Sequence, residues 1–378
     1  MACPPPPAEA IAAARLTIDL AAVAANYRLI AARAAPAAVG GVVKADGYGL
    51  GAERIAAVLA REGCRDFFVA TLDEAIALAP ALAAEARLFV LNGLVRGAEG
   101  RAAAIGAIPV LNSVEQVADW AAAAPGRAAA IQIDSGMSRL GLSPGDALAL
   151  AGDARRMAAL NPLLLMSHLA AADVPGAAAN AAQAARFAQV AAAFPGVPRS
   201  LANSGGVLLG GLAHDLVRPG IALYGGAPQA GPNPMRGVVT LEARIVQLRD
   251  VGAGTGVGYG LDWVAARPSR IATVGVGYAD GWPRALGNVG AVAIGGRRVP
   301  IVGRVSMDSM TLDVTDVDGT ALAGDFPVQL IGPDRPLDAV AAEAGTIAYE
   351  ILTRAGPRYA RRYRGDGADG AAPADGAS

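Results

Sequence analysis

One amine stands apart in this sequence of 378 residues. Of its 32 basic side chains, only Lys44 is a lysine, and the others are arginines. Arginine serves as well as lysine for surface charge, but its guanidinium group stays protonated and cannot attack a carbonyl as a neutral amine can. An apolar run precedes Lys44, and a flexible glycine-rich turn at 45–49 follows it. We therefore interpret Lys44 as a covalent amine; the alternative is a surface lysine kept by chance.

Polar and glycine-rich segments follow other predicted strands. Ser204 is followed by two glycines, and the next predicted strand is followed by Gly220 and Ile221. In a β/α barrel the chemistry lies at the carboxyl ends of the strands, and phosphate is commonly bound after the seventh and eighth. A hydroxyl and accessible backbone N–H groups suit that anion. A covalent amine together with a phosphate site indicates pyridoxal 5'-phosphate, a phosphorylated aldehyde.

The elements that must position these residues begin with an alternating pattern. Between residues 39 and 219, short β-branched runs alternate with alanine-rich stretches, several of which start with a capping residue: Thr71, Ser113 or Ser143. The predicted strands are 39–44, 67–70, 87–91, 108–111, 128–134, 163–168, 199–202 and 216–218. Eight strand–helix pairs predict an α/β fold with an N-terminal (β/α)8 TIM-like barrel.

The sequence pattern changes after residue 237. Apolar runs joined by Gly, Asp and Pro turns predict a mainly β C-terminal domain. The last segment is rich in Gly, Ala, Asp and Pro and is predicted to be disordered. We therefore expect an N-terminal extension at 1–13, a cofactor-binding barrel domain at 14–237, a β domain at 238–364 and a tail at 365–378.

Composition argues against several classes of partner. The formal net charge is −1, which does not favour nucleic acid or an anionic membrane. There is no uncharged apolar stretch long enough for a membrane span, and the proline-rich start does not read as a secretory signal. Cys3 and Cys64 are too few for a disulfide framework. We expect a cytoplasmic protein with a small-molecule substrate, no metal, and neither nucleic-acid nor membrane partners.

Five motifs resemble the alanine racemase family of pyridoxal-phosphate enzymes with fold type III, in order and at family-like spacing from about Arg15 to Arg364. They are VKADGYG at 43–49, IDSGMSRLG at 133–141, VRPGIALYG at 217–225, GYADG at 277–281 and SMD at 306–308. The resemblance implies that Lys44 binds the cofactor covalently and is the base on one face of the substrate. It implies that Tyr278 of the partner subunit is the base on the other face, so that the active site is shared in a homodimer.

The resemblance also implies the remaining site residues. Arg218 would face the pyridine nitrogen, and His168 would link Arg218 to Tyr278. The other cofactor-binding residues would be Tyr48, Asn203, Ser204, Gly220, Ile221 and Tyr349. The substrate carboxylate would be bound by Arg139 and the backbone of Met307, with Gln132 and Asp308 in support.

One position departs from the family pattern. Members often carry a carbamylated lysine two residues before the aspartate of the second motif, where this chain has Gln132. A neutral amide can accept a hydrogen bond from Arg139 but brings no negative charge. We therefore expect no carbamate here, and an Arg139 that is less firmly charge-paired.

The resemblance implies an alanine racemase that interconverts L- and D-alanine and supplies D-alanine for peptidoglycan. A racemase of the same fold acting on serine or a basic amino acid is the nearest alternative. A decarboxylase on this fold would need no second base, and a non-catalytic cofactor carrier would need no β domain. The sequence leaves open whether the role is biosynthetic or catabolic, and how tight the dimer is.

Overall fold

The computed structural model describes residues 8–365. The first seven residues of the expected extension, and the expected tail beyond residue 365, lie outside this range. The chain forms two compact units. We call Val23–Met235 the parallel unit, and the remaining described residues, 8–22 and 236–365, the β unit.

The secondary structure follows the alternation expected from the sequence. Within residues 8–365 the strands are β1 (Ala14–Asp19), β2 (Ala38–Val39), β3 (Gly41–Val42), β4 (Asp66–Val69), β5 (Arg87–Val90), β6 (Ile108–Leu111), β7 (Ala129–Gln132), β8 (Pro162–Met166), β9 (Arg199–Ser200), β10 (Leu216–Val217), β11 (Val239–Ala243), β12 (Ile245–Val251), β13 (Gly256–Val257), β14 (Trp263–Val264), β15 (Ser269–Val274), β16 (Ala291–Ile294), β17 (Arg297–Pro300), β18 (Met310–Asp313), β19 (Val328–Ile331) and β20 (Ala360–Arg364).

The helices of the same range are α1 (Ala8–Ile11), α2 (Leu20–Ala34), α3 (Lys44–Gly49), α4 (Ala52–Arg61), α5 (Leu72–Leu78), α6 (Glu99–Ala104), α7 (Val114–Ala123), α8 (Pro144–Ala151), α9 (Ala154–Leu160), α10 (Ala178–Ala191), α11 (Ser204–Leu209), α12 (Leu337–Glu343) and α13 (Ala348–Thr353). None of these helices is long and apolar enough to cross a membrane.

The parallel unit is built on a curled parallel sheet. Strands β3 to β9 are neighbours in chain order, and β10 pairs in parallel with β2. Further backbone bonds connect the last strand to both sides: Arg218 N donates to Ala202 O at 2.9 Å, and Val42 N donates to Pro219 O at 3.1 Å. Parallel neighbours joined by helical crossovers bring the carboxyl ends of all these strands to one edge.

Burial explains why these short runs are strands. Every residue of β4, β6 and β7 is buried, as expected when both faces of a parallel sheet are covered. Phe68 and Phe89, on adjacent strands, stack with their ring centroids 4.7 Å apart. The predicted caps are confirmed: the side chains of Thr71, Ser113 and Ser143 each accept a hydrogen bond from the backbone N–H three residues later.

The β unit contains three sheets. The largest has the order β17-β16-β19-β11-β1-β20, and the others are β12-β15-β18 and the hairpin β13-β14. The predicted combination of a parallel α/β part and a mainly β part is therefore confirmed. Val257, Ile271 and Val302 form a small apolar cluster within this unit.

Strand β1 differs from the expected division of the chain. The range 14–237 placed it with the barrel, whereas the structure pairs it antiparallel with β11 and parallel with β20. Alternate residues of β1, among them Leu16 and Ile18, are buried in the β unit. Chain order suggested the first position in the barrel, but pairing with strands more than 200 residues away decides the placement.

Candidate cofactor and active site

Lys44 lies where the backbone leaves β3, at the carboxyl edge of the parallel sheet. Its side chain is partly buried. Burial and the positive charge of Arg139 lower the pKa of the Lys44 amine, and the carboxylate of Glu74 opposes them. A lowered pKa increases the neutral fraction of the amine, which is the form that attacks a carbonyl or accepts a proton.

The turn after Lys44 is left-handed. Residues 45–48 all have φ between 52° and 61°, and Gly47 N donates to Val43 O at 2.8 Å. A left-handed conformation costs a non-glycine residue roughly 1–2 kcal/mol, and Ala45, Asp46 and Tyr48 all adopt it. The sequence predicted a flexible turn; the structure instead shows a defined turn that contacts elsewhere must stabilise.

Tyr48, at the end of this turn, meets the segment that follows β10. Its buried ring stacks on Tyr224 at a centroid distance of 4.4 Å. The Ser204 hydroxyl accepts from Gly220 N at 2.9 Å, so the segments that follow β9 and β10 are joined. A Cβ at Gly220 would clash with the Tyr48 hydroxyl, which is why this position requires glycine.

These groups fit the phosphate of pyridoxal phosphate. Two hydroxyls and a backbone N–H converge, and neighbouring positions also lack side chains: a Cβ at Gly205 would lie 2.6 Å from Ala172 O. Asn203 caps α11 by accepting from Gly206 N at 2.9 Å, and Ile221 begins a buried turn directly after Gly220. A partly buried amine on the same edge suits the cofactor's aldehyde.

Arg218 is a buried cation. Its guanidinium donates to Ser200 Oγ at 2.5 Å and to Ser167 O at 2.6 Å, and burial lowers its pKa to about 10. It makes no ion pair with a carboxylate anywhere in residues 8–365. Its hydrogen bonds go to these two serines, so the expected bond to His168 is not formed within the described part of the chain.

His168 lies beside this cation at the end of β8. Burial and the neighbouring cations, Arg218 first, lower the pKa of His168 to about 3. The imidazole is therefore neutral at physiological pH. Gln183, on α10, donates a hydrogen bond to the backbone carbonyl of His168 at 2.9 Å.

The loop after β7 carries Arg139. One oxygen of Asp134 accepts from the backbone N–H groups of residues 136, 137 and 138 at 2.9–3.1 Å, which fixes the loop. Arg139 is exposed and makes no ion pair with any residue between 8 and 365. Gln132 is buried at the end of β7.

The β unit holds the other predicted residues. Tyr278 N donates to Ser306 O at 3.0 Å, so the Tyr278 turn packs against the segment that carries Met307 and Asp308. The side chains of Tyr278 and Met307 are 43% and 53% exposed. Tyr349 is partly exposed on α13.

An ion-pair cluster holds the Tyr278 turn. Arg358 donates to Asp280 Oδ1 and to Asp308 Oδ1, both at 2.6 Å. The second oxygen of the buried Asp280 accepts from Gly277 N at 2.8 Å. Asp308 and Asp280 raise the pKa of Arg358. This cluster connects the turn that carries Tyr278 with the segment that carries Met307.

The sequence analysis missed two side chains that shape the site, Ser200 and Gln183. Ser200 carries no motif signal, because its role depends on the approach of Arg218. Gln183 did leave a signal: with Asn180 and Phe187 it lies on one face of an alanine-rich helix, and all three are buried. A polar residue on the apolar face of a helix indicates a buried hydrogen-bond partner.

A partly buried amine and a phosphate cradle, at one edge of a curled parallel α/β sheet, define an enzyme that uses a phosphorylated aldehyde cofactor. The comparisons with known proteins agree. The family descriptions "Alanine racemase, N-terminal domain" and "Alanine racemase, C-terminal domain" match residues 18–228 and 238–363.

Two curated relatives match over nearly the whole chain. A protein of Agrobacterium fabrum named "Alanine racemase, catabolic" is 51% identical over 93% of this chain and 92% of its own length. An alanine racemase of Rhodospirillum rubrum is 50% identical over 94% and 96%.

Solved structures give the same result. The alanine racemase of Bartonella henselae, with covalently bound pyridoxal phosphate, has a TM-score of 0.90 at 43% identity, covering 93% of this chain and 100% of that one. The biosynthetic alanine racemase of Pseudomonas aeruginosa has a TM-score of 0.88 at 36% identity, covering 94% and 100%. The chain therefore belongs to the alanine racemase family, whose members are pyridoxal-phosphate-dependent isomerases that racemise alanine.

Proposed function

We propose that this protein interconverts L- and D-alanine, with Lys44 and Tyr278 as the two groups that move the α-proton. Lys44 carries the proposal: it is the chain's only amine side chain, at a strand end, with a lowered pKa. Racemisation takes a proton from one face of the α-carbon and returns one to the other, so it suits two acid–base groups on opposite faces. Lys44 would serve one face and Tyr278 the other.

The cofactor would be held at the carboxyl edge of the parallel sheet. Lys44 would bind its aldehyde carbon, and Tyr48, Ser204, Gly220, Ile221 and Tyr349 would hold its phosphate, with Asn203 in support. When bound, the cofactor would withdraw electrons from the substrate's α-carbon and make the α-proton acidic. Arg218 would face the ring nitrogen, where its fixed charge disfavours a second positive charge.

The substrate carboxylate would bind to Arg139 and to the backbone of Met307. The exposed guanidinium of Arg139 has no carboxylate partner within residues 8–365, so its donors are available to a ligand. A guanidinium binds a carboxylate through two parallel hydrogen bonds and thereby fixes its orientation. The orientation of the carboxylate determines which face of the α-carbon each base reaches.

The finer architecture belongs to the same proposal. We infer that β2 and β3 together form the first strand of a (β/α)8 barrel and that β4 to β10 are the other seven, supported by the bonds of Arg218 N and Val42 N across the last strand. We also infer a cofactor domain and a β domain that divide near residue 237. The protein would be a cytoplasmic homodimer, in which the exposed Tyr278 of the partner subunit completes each site. Its D-alanine would supply peptidoglycan.

The test is a panel of L-amino acids incubated in deuterated water. L-Alanine should yield D-alanine with deuterium at the α-carbon, and faster than L-serine, L-lysine or L-arginine yields its enantiomer. Lys44→Arg keeps the charge but should lose the absorbance of the covalently bound cofactor, and racemisation should fall by at least about 10³-fold. Arg61→Lys, which adds a lysine on the exposed face of α4, should change neither. A bound cofactor without deuterium incorporation would contradict the proposal.

A further inference from the structure

One carboxylate joins the ends of two neighbouring strands beside Lys44. Glu74 Oε1 accepts from Ala45 N at 2.8 Å, and Glu74 Oε2 accepts from Ala70 N at 2.7 Å. Ala45 directly follows Lys44 after β3, and Ala70 directly follows β4. Glu74 itself lies in the first turn of α5, behind the cap Thr71. Both acceptor atoms of the side chain are therefore used by backbone donors from different loops.

Gln116 occupies a position equivalent to that of Glu74 and can be compared with it. This residue has the same position behind a cap, Ser113, in the first turn of α7. Gln116 Oε1 accepts from Asn112 N at 2.8 Å, while its Nε2 donates to Asn92 O at 3.3 Å. An amide suits that site because one partner is a donor and the other an acceptor. At Glu74 both partners are donors, and only a carboxylate satisfies both.

The donor at Ala45 starts the left-handed turn. Residues 45–48 adopt a conformation that non-glycine residues disfavour, so contacts outside the turn must stabilise it. Glu74 binds the first N–H of the turn. Within the turn, Asp46 Oδ1 accepts from Ala52 N at 2.8 Å, which connects the turn to the start of α4. Two carboxylates therefore hold the turn, and only Glu74 comes from another strand–helix pair.

We propose that Glu74 is a positioning residue that holds the turn at 45–48 in its left-handed form, so that Lys44 and Tyr48 reach the cofactor together. The effect of Glu74 on catalysis rests on the proposed function, whereas its stabilisation of the turn does not. Lys44 begins the turn and Tyr48 ends it. A turn that relaxes towards ordinary backbone angles would separate the amine from the phosphate-binding hydroxyl.

The test is Glu74→Gln in the full-length protein with its cofactor bound. The amide of Gln can accept from one N–H, but its own NH2 group then faces the other N–H. The control is Asp73→Asn, which removes one negative charge from an exposed side chain in the same helical turn. In Glu74→Gln, backbone hydrogen exchange should accelerate about tenfold or more across residues 44–50 and at Ala70. The region around Gln116 should be unchanged, and Asp73→Asn should match the unaltered protein.

Two further measurements separate positioning from general stability. Glu74→Gln should release the cofactor more readily, seen as loss of its absorbance on dilution, and should lower kcat more than it raises KM for alanine. Glu74→Asp keeps both acceptor oxygens on a shorter side chain, and its exchange rates and kcat should lie between those of Glu74→Gln and the unaltered protein. It replaces Glu74→Gln in the test if that variant does not fold. Exchange at 44–50 equal to that of the unaltered protein would overturn the proposal. If the unaltered protein racemises nothing, the proposed function fails, but the exchange result still decides the role of Glu74.

Discussion

Lys44 illustrates at the scale of a residue how neighbours prepare a side chain for its task. Burial and Arg139 lower the pKa of its amine, and Glu74 limits that effect. Burial also lowers the pKa of Arg218, but only to about 10, and its guanidinium donates to the Ser200 hydroxyl and the Ser167 carbonyl. The site therefore holds one cation that can become neutral and one that stays charged.

Gln132 leads to a prediction about added bicarbonate. A carbamate requires an amine, and Gln132 has none, while the chain's only lysine is the proposed cofactor-binding residue. Bicarbonate at millimolar concentration should therefore leave racemisation of L-alanine unchanged. Gln132→Lys supplies an amine at this position and should introduce a dependence on bicarbonate. A clear rise in the activity of the unaltered protein on adding bicarbonate would refute this prediction.

His168 predicts how stability depends on pH. Its folded-state pKa is about 3, against an ordinary value of 6.5, so between these values the unfolded chain binds more protons than the folded one. The free energy of unfolding contributed by this group therefore falls as the pH drops through that window, by roughly 1.4 kcal/mol per pH unit. In urea unfolding at several pH values from 7 to 4, His168→Gln should flatten the profile. An unchanged slope would mean that the imidazole is not held neutral.

At the scale of elements, the sequence predicted what depends on local pattern. The strands of the parallel unit and the caps at Thr71, Ser113 and Ser143 follow from runs of apolar residues and from hydroxyls that precede helices. What the sequence did not predict depends on distant partners. The turn after Lys44 is left-handed because a carboxylate 29 residues away binds it, and β1 lies in the β unit because of strands beyond residue 238.

Arg358 gives a prediction for the turn that carries Tyr278. Replacing it with alanine removes the cation that neutralises the buried Asp280 and links it to Asp308. Arg358→Ala should lower kcat for alanine by about 10- to 100-fold through misplacement of Tyr278, with a smaller change in KM. Arg354→Ala, which removes an exposed pair with Glu350, is the matched control and should have little effect. Equal activities of the two variants would show that the cluster does not position Tyr278.

At the scale of the whole molecule, the proposed bases lie in different units of the chain. Lys44 belongs to the parallel unit and Tyr278 to the β unit, where Tyr278 and Met307 are exposed. Side chains expected to act on a substrate are exposed here, which fits a surface that a second copy covers. The sequence motifs predicted both bases, and the chain that supplies each base to a given site is a question about the assembly.

That question is decided by mixing two inactive variants. Lys44→Arg and Tyr278→Phe are co-expressed with different tags, and the mixed dimer is compared with each variant alone. If the site is shared, every mixed dimer contains one site with both Lys44 and Tyr278. Random pairing should then restore about one quarter of the unaltered activity, because half of the dimers are mixed and each has one intact site. If the mixture is as inactive as its parents, both bases come from one chain and the shared site is contradicted.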